Sequence, residues 1–427
     1  MELLWIFTAF FASVFLGVSI VAAIAATTLL GYALLDVPFL TFITRTFGGI
    51  DSTPLLTLPF YVLAGELMYR GRIIEMLIRF VDGLIGWVRG GLAYVNVLVS
   101  LIFSGPSGST VSDTAAVGSV MIPAMIRKGY HPDFAVAVTV ASSTMAPLIP
   151  PSILMIVYAH IANISIGQLF LAGVVPGLFV ALTVIAFVWM VVRLRGYQAR
   201  EGRQPWREIG RAFLLSFDVI ALPLVVVLGI RVGLFTPTEA AIVCVWLVAF
   251  STIVVRRTVK LRDLPSILLS AAASSAMVMI VIGLSTPLGD ALSRMEFQSS
   301  VQSLLMSVST NRWVILALML GFIVLLGTVV EGTAICIMFA GVFSALGAKL
   351  GFDPIHFGVL MVFAMIISSI TPPVAISLFV AVAIARTTMR QVEGLVWLFM
   401  PALLLALLLT MLFPDLVLWL PRQAAGR

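Results

Sequence analysis

Charge is what this chain has least of. Of its 427 residues, 10% are Asp, Glu, Lys or Arg against 61% hydrophobic, and the mean hydropathy is +1.16. A soluble protein of this length needs a charged surface to stay dispersed, so the composition excludes that class and leaves a polytopic membrane protein. Cysteine is scarce. Cys244 and Cys336 both lie in apolar runs and offer neither a disulfide framework nor zinc spacing. The three histidines are scattered and make no transition-metal site. A net charge of +6 invites nucleic acid, but the arginines sit in short loops between apolar runs, the pattern that sets membrane topology. The N-terminus lacks a basic start and a cleavage site, so it reads as a retained first span.

What the chain has in abundance is apolar length. Glu2 and Asp36 enclose 33 uncharged residues, and between Phe134 and Val192 His160 is alone among Asp, Glu, Lys, Arg and His. A helix needs ~20 apolar residues to cross a bilayer core. These runs do not alternate with the period of two that a membrane barrel requires. The fold expected is therefore all-α, in a membrane crossed many times.

Five basic clusters, Arg70–Arg89, Arg127–Lys128, Arg193–Arg211, Arg256–Arg262 and Arg386–Arg390, hold 18 of the 25 Lys and Arg. If all five face the cytoplasm, even numbers of crossings separate them and both termini are periplasmic. Between Arg89 and Arg127 each apolar arm is about a dozen residues, or ~18 Å, too short for a ~30 Å core. The interval 90–126 thus reads as a hairpin entering and leaving on one side, with "SGPSGSTVSD" (Ser104–Asp113) at its tip. Two short spans joined outside are the alternative.

The interval 313–349 reads as an inverted copy that opens near Arg312 and Lys349, with "TVVEGT" at its tip. Each hairpin precedes a span broken by prolines, which remove a donor and clash with the preceding turn. These spans are 134–160, with Pro147, Pro150 and Pro151, and 357–385, with Pro372 and Pro373. Pro150 and Pro372 are 222 residues apart, Gly105 and Gly332 227. The chain thus divides into a first inverted repeat, 1–192, a cytoplasmic linker, 193–211, and a second repeat, 212–427. Amphipathic stretches, 71–87 and 293–309, read as interfacial helices before each hairpin. Residues 1–35 read as two short spans turning near Gly17, with one tilted helix as the rival.

Irregular backbone at membrane depth is tolerated only where protein or a hydrated cavity covers it. In transporters built from inverted repeats such breaks meet at the midplane, where carbonyl ends face cations and N–H ends face anions. Hydroxyls crowd all four places here, from Ser104, Ser107, Ser109, Thr110 and Ser112 to Ser368, Ser369 and Thr371. Neutral hard oxygens suit Na⁺. Two acids stand out, since an intramembrane carboxylate is costly. Asp113 reads either as an ion ligand or as the cap of the following helix. Glu331 has fewer structural roles open to it. Glu66 reads as the i+4 partner of Arg70.

The ordered set "LPFYVLAGELMYRGRI", "FSGPSGSTVSDTAAVGSVMIPAMIRKGY", "ASSTMAPLIPPSILMIVYA", "FLAGVVPGL" and "DPIHFGVLMVFAMIISSITPPVAISLFVA" resembles the large membrane subunit of TRAP transporters, of the ion-transporter superfamily, over nearly the whole chain. The resemblance implies an elevator-type transporter in the bacterial inner membrane, driven by Na⁺ as coupling ion and using no organic cofactor. It implies import of organic acids such as C4-dicarboxylates, sialic acid or related sugar acids. The partners implied are a periplasmic substrate-binding protein and a small four-helix membrane subunit, which here would be a separate protein. Neither nucleic acid nor an enzymatic reaction is implied.

Carried onto this sequence, the Na⁺ sites pair each tip with its proline break. Ser104, Gly105, Ser107, Gly108, Ser109 and Asp113 would face Ser143, Thr144, Pro147 and Pro150. Glu331, Gly332 and Thr333 would face Ile370, Thr371 and Pro373. Substrate would meet Ser107, Ser109, Thr110, Ser152, Thr333 and Thr371. Two residues depart from the family pattern. Pro106 stands where an aliphatic residue is usual, and Gly332 would loosen the second tip. A stand-alone Na⁺-coupled anion permease of similar inverted-repeat fold is the alternative.

Overall fold

The structure, a computed structural model, describes residues 2–198, 202–328, 330–372, 375–424 and 426, without the side chains of residues 2, 4, 106 and 107. The regular elements among the described residues are helical. Helices α1 (Glu2–Phe15) and α2 (Ile20–Leu34) fold back on each other at Gly17, whose φ of +78° suits a residue without a Cβ. Ile6 touches Gly31, so the pair is antiparallel and its two outer ends lie together. The first 35 residues are thus two helices, not one tilted helix.

The chain continues through α3 (Phe39–Ile50), α4 (Thr57–Arg70) and α5 (Ile73–Ile85). The amphipathic α5 buries Ile73, Ile74, Leu77 and Val81, a stripe of helical spacing. Then come α6 (Gly91–Ser107) and α7 (Thr110–Arg127), joined at Gly108 and Ser109. The tip is therefore much shorter than the polar stretch. Ser104–Ser107 complete the last turn of α6, and Thr110–Asp113 begin α7. Gly108, at φ +56°, ends α6 with its N–H on the Ser104 carbonyl, 3.0 Å away. Absorbing the hydroxyls makes each arm ~26 Å long, longer than the apolar runs alone.

Helix α8 (Pro132–Ser143) stops before the prolines, and α9 (Ile153–Ile161) resumes after them. Helices α10 (Ile166–Arg195) and α11 (Trp206–Arg231) are long, and α12 (Pro237–Ala249) ends in a π-helical turn, Phe250–Val255. The longest, α13 (Leu264–Arg294), spans ~46 Å and touches α2, α3 and α4 on the way. Beyond it α14 (Phe297–Val308) turns by 120° into α15 (Arg312–Leu326), which pairs with α16 (Gly332–Lys349). Helix α17 (Pro354–Ser368) stops at the second break, α18 (Ile376–Ala385) resumes, and α19 (Met389–Leu412) and α20 (Pro414–Ala424) close the chain.

The two helix pairs open at opposite ends of the molecule. The first pair's mouth lies at the basic end, where Arg195 grips Asp133 and the Gly90 N–H meets the Gln198 carbonyl at 3.4 Å. There too Gly71 packs on Thr252 of the π-helical turn, and Arg70 and Arg72 border the start of α13. The second pair's mouth lies beyond the far end of α13, where Lys Nζ of residue 349 donates to Gln302 at 2.7 Å and the Trp313 ring meets Phe352. Both tips reach toward the middle. Outward-facing side chains on α11 and α12, including Phe217, Leu224, Trp246 and Phe250, are exposed and apolar, as lipid contact requires.

Candidate substrate and ion site

Four interruptions meet at one cavity of about 180 Å³. Gly108, Ser109 and Thr110 come from the first tip, and Gly327, Glu331, Gly332 and Thr333 from the second. Pro147 and Ile153 come from the first break, Ser369 and Ile376 from the second, and Val278 of α13 closes one side. Such close approach needs glycines. A Cβ on Gly105 would stand 2.9 Å from the Pro150 carbonyl, and one on Gly108 would stand 3.1 Å from that of Pro151. A Cβ on Gly327 would collide with Ser368, and one on Gly332 would stand 3.0 Å from the Met365 carbonyl. Gly332 therefore fits the second tip tightly against its break; the expected loosening is not what it does.

The cavity is also where four helices start: α7 at Thr110, α9 at Ile153, α16 at Gly332 and α18 at Ile376. Each start carries the equivalent of about half a positive charge on its unpaired N–H groups. Among the described lining residues there is no arginine or lysine, and Glu331 is the one acid. An anion here would be held by backbone dipoles and hydroxyls.

The residues singled out in the sequence divide into wall and support. Ser109, Thr110 and Thr333 line the cavity, and the Thr333 hydroxyl donates to Glu331 Oε1 at 2.7 Å. Glu331 sits just before α16 but accepts no backbone N–H through its side chain, so capping does not use it up. Ser152 and Thr371, expected to face substrate, stand off the wall. The Ser152 hydroxyl donates to the Pro147 carbonyl at 2.6 Å and accepts from Met155 N–H at 3.2 Å, which ties the break to the start of α9. The Thr371 hydroxyl donates to the Ile367 carbonyl at 2.8 Å. The Thr144 hydroxyl likewise donates to the Ala141 carbonyl at 2.6 Å, and Ile370 is buried. The Ser107 side chain and Pro373 lie outside the described residues. The wall also includes Ser369, Met365 and Ile366, and Ser369 was within reach of the sequence as the hydroxyl one residue before Ile370.

Asp113 does not take the capping role the sequence offered it. Helix α7 begins before it, so Asp113 does not cap that helix; its N–H donates to the Ser109 carbonyl at 3.0 Å. The side chain is fully buried away from the cavity wall, between α6 and α8. Neither carboxylate oxygen has a hydrogen-bond partner. The Ser100 hydroxyl approaches it, but without the geometry of a bond.

Around Asp113 lies a seam of buried polar groups. Thr114 donates to Ser143 at 2.9 Å, Ser142 to Ser100 at 3.3 Å, and Asn96 to Thr139 at 2.6 Å. Ser104 joins it through the Ser100 carbonyl. The seam was legible in part, because Asn96, Ser100 and Ser104 recur every fourth residue of an otherwise apolar helix. A buried carboxylate with no partner costs several kcal/mol. With the Ser100 hydroxyl beside it, this one could hold a small hard cation.

Comparison with known proteins agrees with this architecture. Residues 3–416 match the family described as the tripartite ATP-independent periplasmic transporter, DctM component. The chain is 33% identical over 383 residues to the sialic acid TRAP transporter large permease protein SiaM of Vibrio cholerae, covering 89% of this chain and 88% of that one. It is 34% identical over 381 residues to the C4-dicarboxylate TRAP transporter large permease protein DctM of Pseudomonas aeruginosa, covering 88% of each. Among solved structures, the YdaH transporter of Alcanivorax borkumensis has a similar fold, with a TM-score of 0.65 over 88% of each chain at 13% identity. The large component of the matched family works with a small membrane subunit and a periplasmic binding protein. This chain belongs to the DctM family of large TRAP permease components, multi-pass membrane transporter subunits and not enzymes.

Proposed function

We propose that this subunit imports an organic acid in symport with Na⁺, receiving it from a periplasmic binding protein beside a separate small subunit. The observation that carries the reading is the meeting of four helix starts at one cavity beside an orphaned buried carboxylate. The helix starts supply positive potential for a carboxylate where no arginine is available. A relative named for C4-dicarboxylate and another named for sialic acid keep both substrate classes in view.

One Na⁺ fits beside Asp113, with the hydroxyls of Ser100, Thr114 and Ser143 close by. A second fits at Glu331, Thr333 and Ser369, facing the substrate. Cation binding would then neutralise the acids before the anion arrives, which couples the two. In the bacterial inner membrane the helix pairs α6–α7 and α15–α16 are re-entrant, entering from the cytoplasm and the periplasm respectively. The repeats 1–192 and 212–427 are inverted copies, and both termini face the periplasm. The group holding the hairpins moves as an elevator against α2–α5 and α11–α13.

The test is uptake into proteoliposomes with the small subunit and binding protein present, over a panel that includes succinate and N-acetylneuraminate. Accumulation that requires an inward Na⁺ gradient supports the reading. Uptake that ignores Na⁺ overturns the coupling, and uptake by the chain alone favours a stand-alone permease.

A further inference from the structure

The central cavity does not end at its own walls. Gly108, Ser109, Val111, Ile153 and Val278 also line a neighbouring cavity of about 600 Å³, so the two adjoin at the first tip. The outer walls of the second cavity are Tyr61, Glu66 and Tyr69 of α4 and Ser274 and Met277 of α13. From Tyr61 to Tyr69 is ~12 Å along the helix, in the direction of Arg70 and the basic end.

On α13, Ile267, Ser274 and Val278 are spaced by seven and four residues and so share one face. That face leads to a third cavity, about 500 Å³, walled by Arg70, Arg72, Asp263 and Ser266. An ion pair stands between the second and third cavities. Glu66 lines one, Arg70 lines the other, and Arg70 Nε donates to Glu66 Oε1 at 3.2 Å.

We propose that this line of cavities is the cytoplasmic release path for the anionic substrate, and that Glu66 is a positioning residue that keeps Arg70 from retaining it. The proposal rests on the reading of the central cavity as the substrate site. A free guanidinium fork holds a carboxylate through two parallel hydrogen bonds. Placed at the mouth of an exit, such a fork draws the anion out of the site but then delays its departure. Glu66 occupies one edge of the fork. An exposed i,i+4 pair is weak, so an arriving carboxylate displaces it readily, and Glu66, tethered one turn away, competes for the fork again. Both side chains are open enough to exchange, with 22% of Glu66 and 51% of Arg70 exposed.

Two experiments on the assembled transporter decide this. First, Ser274→Cys, with Cys244 and Cys336 replaced by Ala, is treated with a membrane-impermeant maleimide from either side of oriented vesicles. Labelling from the cytoplasmic side alone is expected; labelling from the periplasmic side alone, or from neither, overturns the path. This readout needs no transport, so it stands or falls apart from the substrate reading, which uptake tests.

Second, Glu66→Gln is expected to slow succinate or N-acetylneuraminate turnover about twofold and to sharpen inhibition by the same acid on the cytoplasmic side by a similar factor, the size of one exposed i,i+4 pair. Glu66→Gln with Arg70→Gln restores both. If Glu66→Gln lowers turnover without changing that inhibition, or if the double variant does not recover, the positioning role is overturned.

Discussion

At the first tip the nearby carboxylate turns away from the cavity, and at the second it lines it. Asp113 is fully enclosed near the Ser100 hydroxyl of α6, with both oxygens unpartnered. Glu331 is half-buried at the cavity wall and accepts from Thr333. The tips are alike in backbone: each is a helix–helix turn pressed by glycine onto a proline break. They differ in what surrounds the charge. An enclosed carboxylate has no water to solvate it, so a cation bound there would be part of the packing. A carboxylate on the wall is screened by whatever fills the cavity, so a cation bound there would be free to come and go with substrate. One site would thus set stability and the other exchange.

The largest expected effect tests the enclosed site. Asp113→Asn is expected to lower Na⁺-driven uptake about a hundredfold, corresponding to ~3 kcal/mol for a hydrogen-bonded charge. It also removes an uncompensated buried charge, so the variant should melt higher than the parent in Na⁺-free buffer. The parent should gain ~1.4 kcal/mol at Na⁺ ten times above its Kd, and the variant little of this. A thermal melt with and without Na⁺ measures both. An unchanged Na⁺ shift in Asp113→Asn would remove the enclosed ion from the account.

Glu331→Gln comes next, and it should separate the two sites. Uptake is expected to fall about tenfold, since a wall carboxylate is partly solvated. The Na⁺-dependent melting shift should survive, because Asp113 is untouched. If Glu331→Gln abolishes the shift while Asp113→Asn preserves it, the assignment of enclosed and exchanging sites is reversed.

The glycines test the backbone likeness of the tips. Gly327→Ala places a Cβ against Ser368, and a forced repacking of this kind costs about 1–3 kcal/mol. Gly108→Ala meets the Pro151 carbonyl at 3.1 Å and keeps a φ of +56°. The left-handed conformation costs an alanine about 1–2 kcal/mol. Both variants should fold with reduced melting temperature, Gly327→Ala the more affected. Equal stability to the parent in both would mean that the tips are not pressed onto the breaks.

How far the sequence foretold all this follows from what each feature depends on. The proline breaks were legible because Pro147, Pro150 and Pro372 act through local covalent geometry. The polar tip was legible as a place but not in extent. Serine and threonine suit a helix end as well as a loop, and tertiary packing took Ser104 and Thr110 into helices. The facing of Asp113 was hidden for another reason. It lies one turn beyond Thr110, and only the position of α8 decides that this turn is covered, not open. Ser152 and Thr371 stand off the cavity wall, where a hydroxyl beside a break is as useful to the backbone as to a ligand. Both donate to carbonyls of their own segment.

The smallest effect expected concerns the mouths of the two pairs. At the first, Arg195 donates to both oxygens of Asp133, at 2.8 and 2.7 Å, and Tyr130 stacks on Tyr197. At the second, Lys349 donates to the neutral Gln302. Burial opposes ionisation of Asp133, but the hydrogen bonds from Arg195 prevail and hold its carboxyl below the ordinary carboxylate range. A carboxyl lowered on folding adds stability above its unfolded pKa of ~3.9 and loses it as pH falls through the lower folded value. Arg195→Ala should therefore destabilise by ~1 kcal/mol or less at neutral pH, since the pair is partly exposed. The deficit should vanish in acid below the folded value. Lys349→Ala breaks a contact that has no carboxylate, so its small deficit should be flat across the same range. Chemical denaturation of both variants from neutral pH down to ~3 compares the mouths directly. A pH-independent deficit in Arg195→Ala would show that stacking, not the ion pair, holds the first mouth.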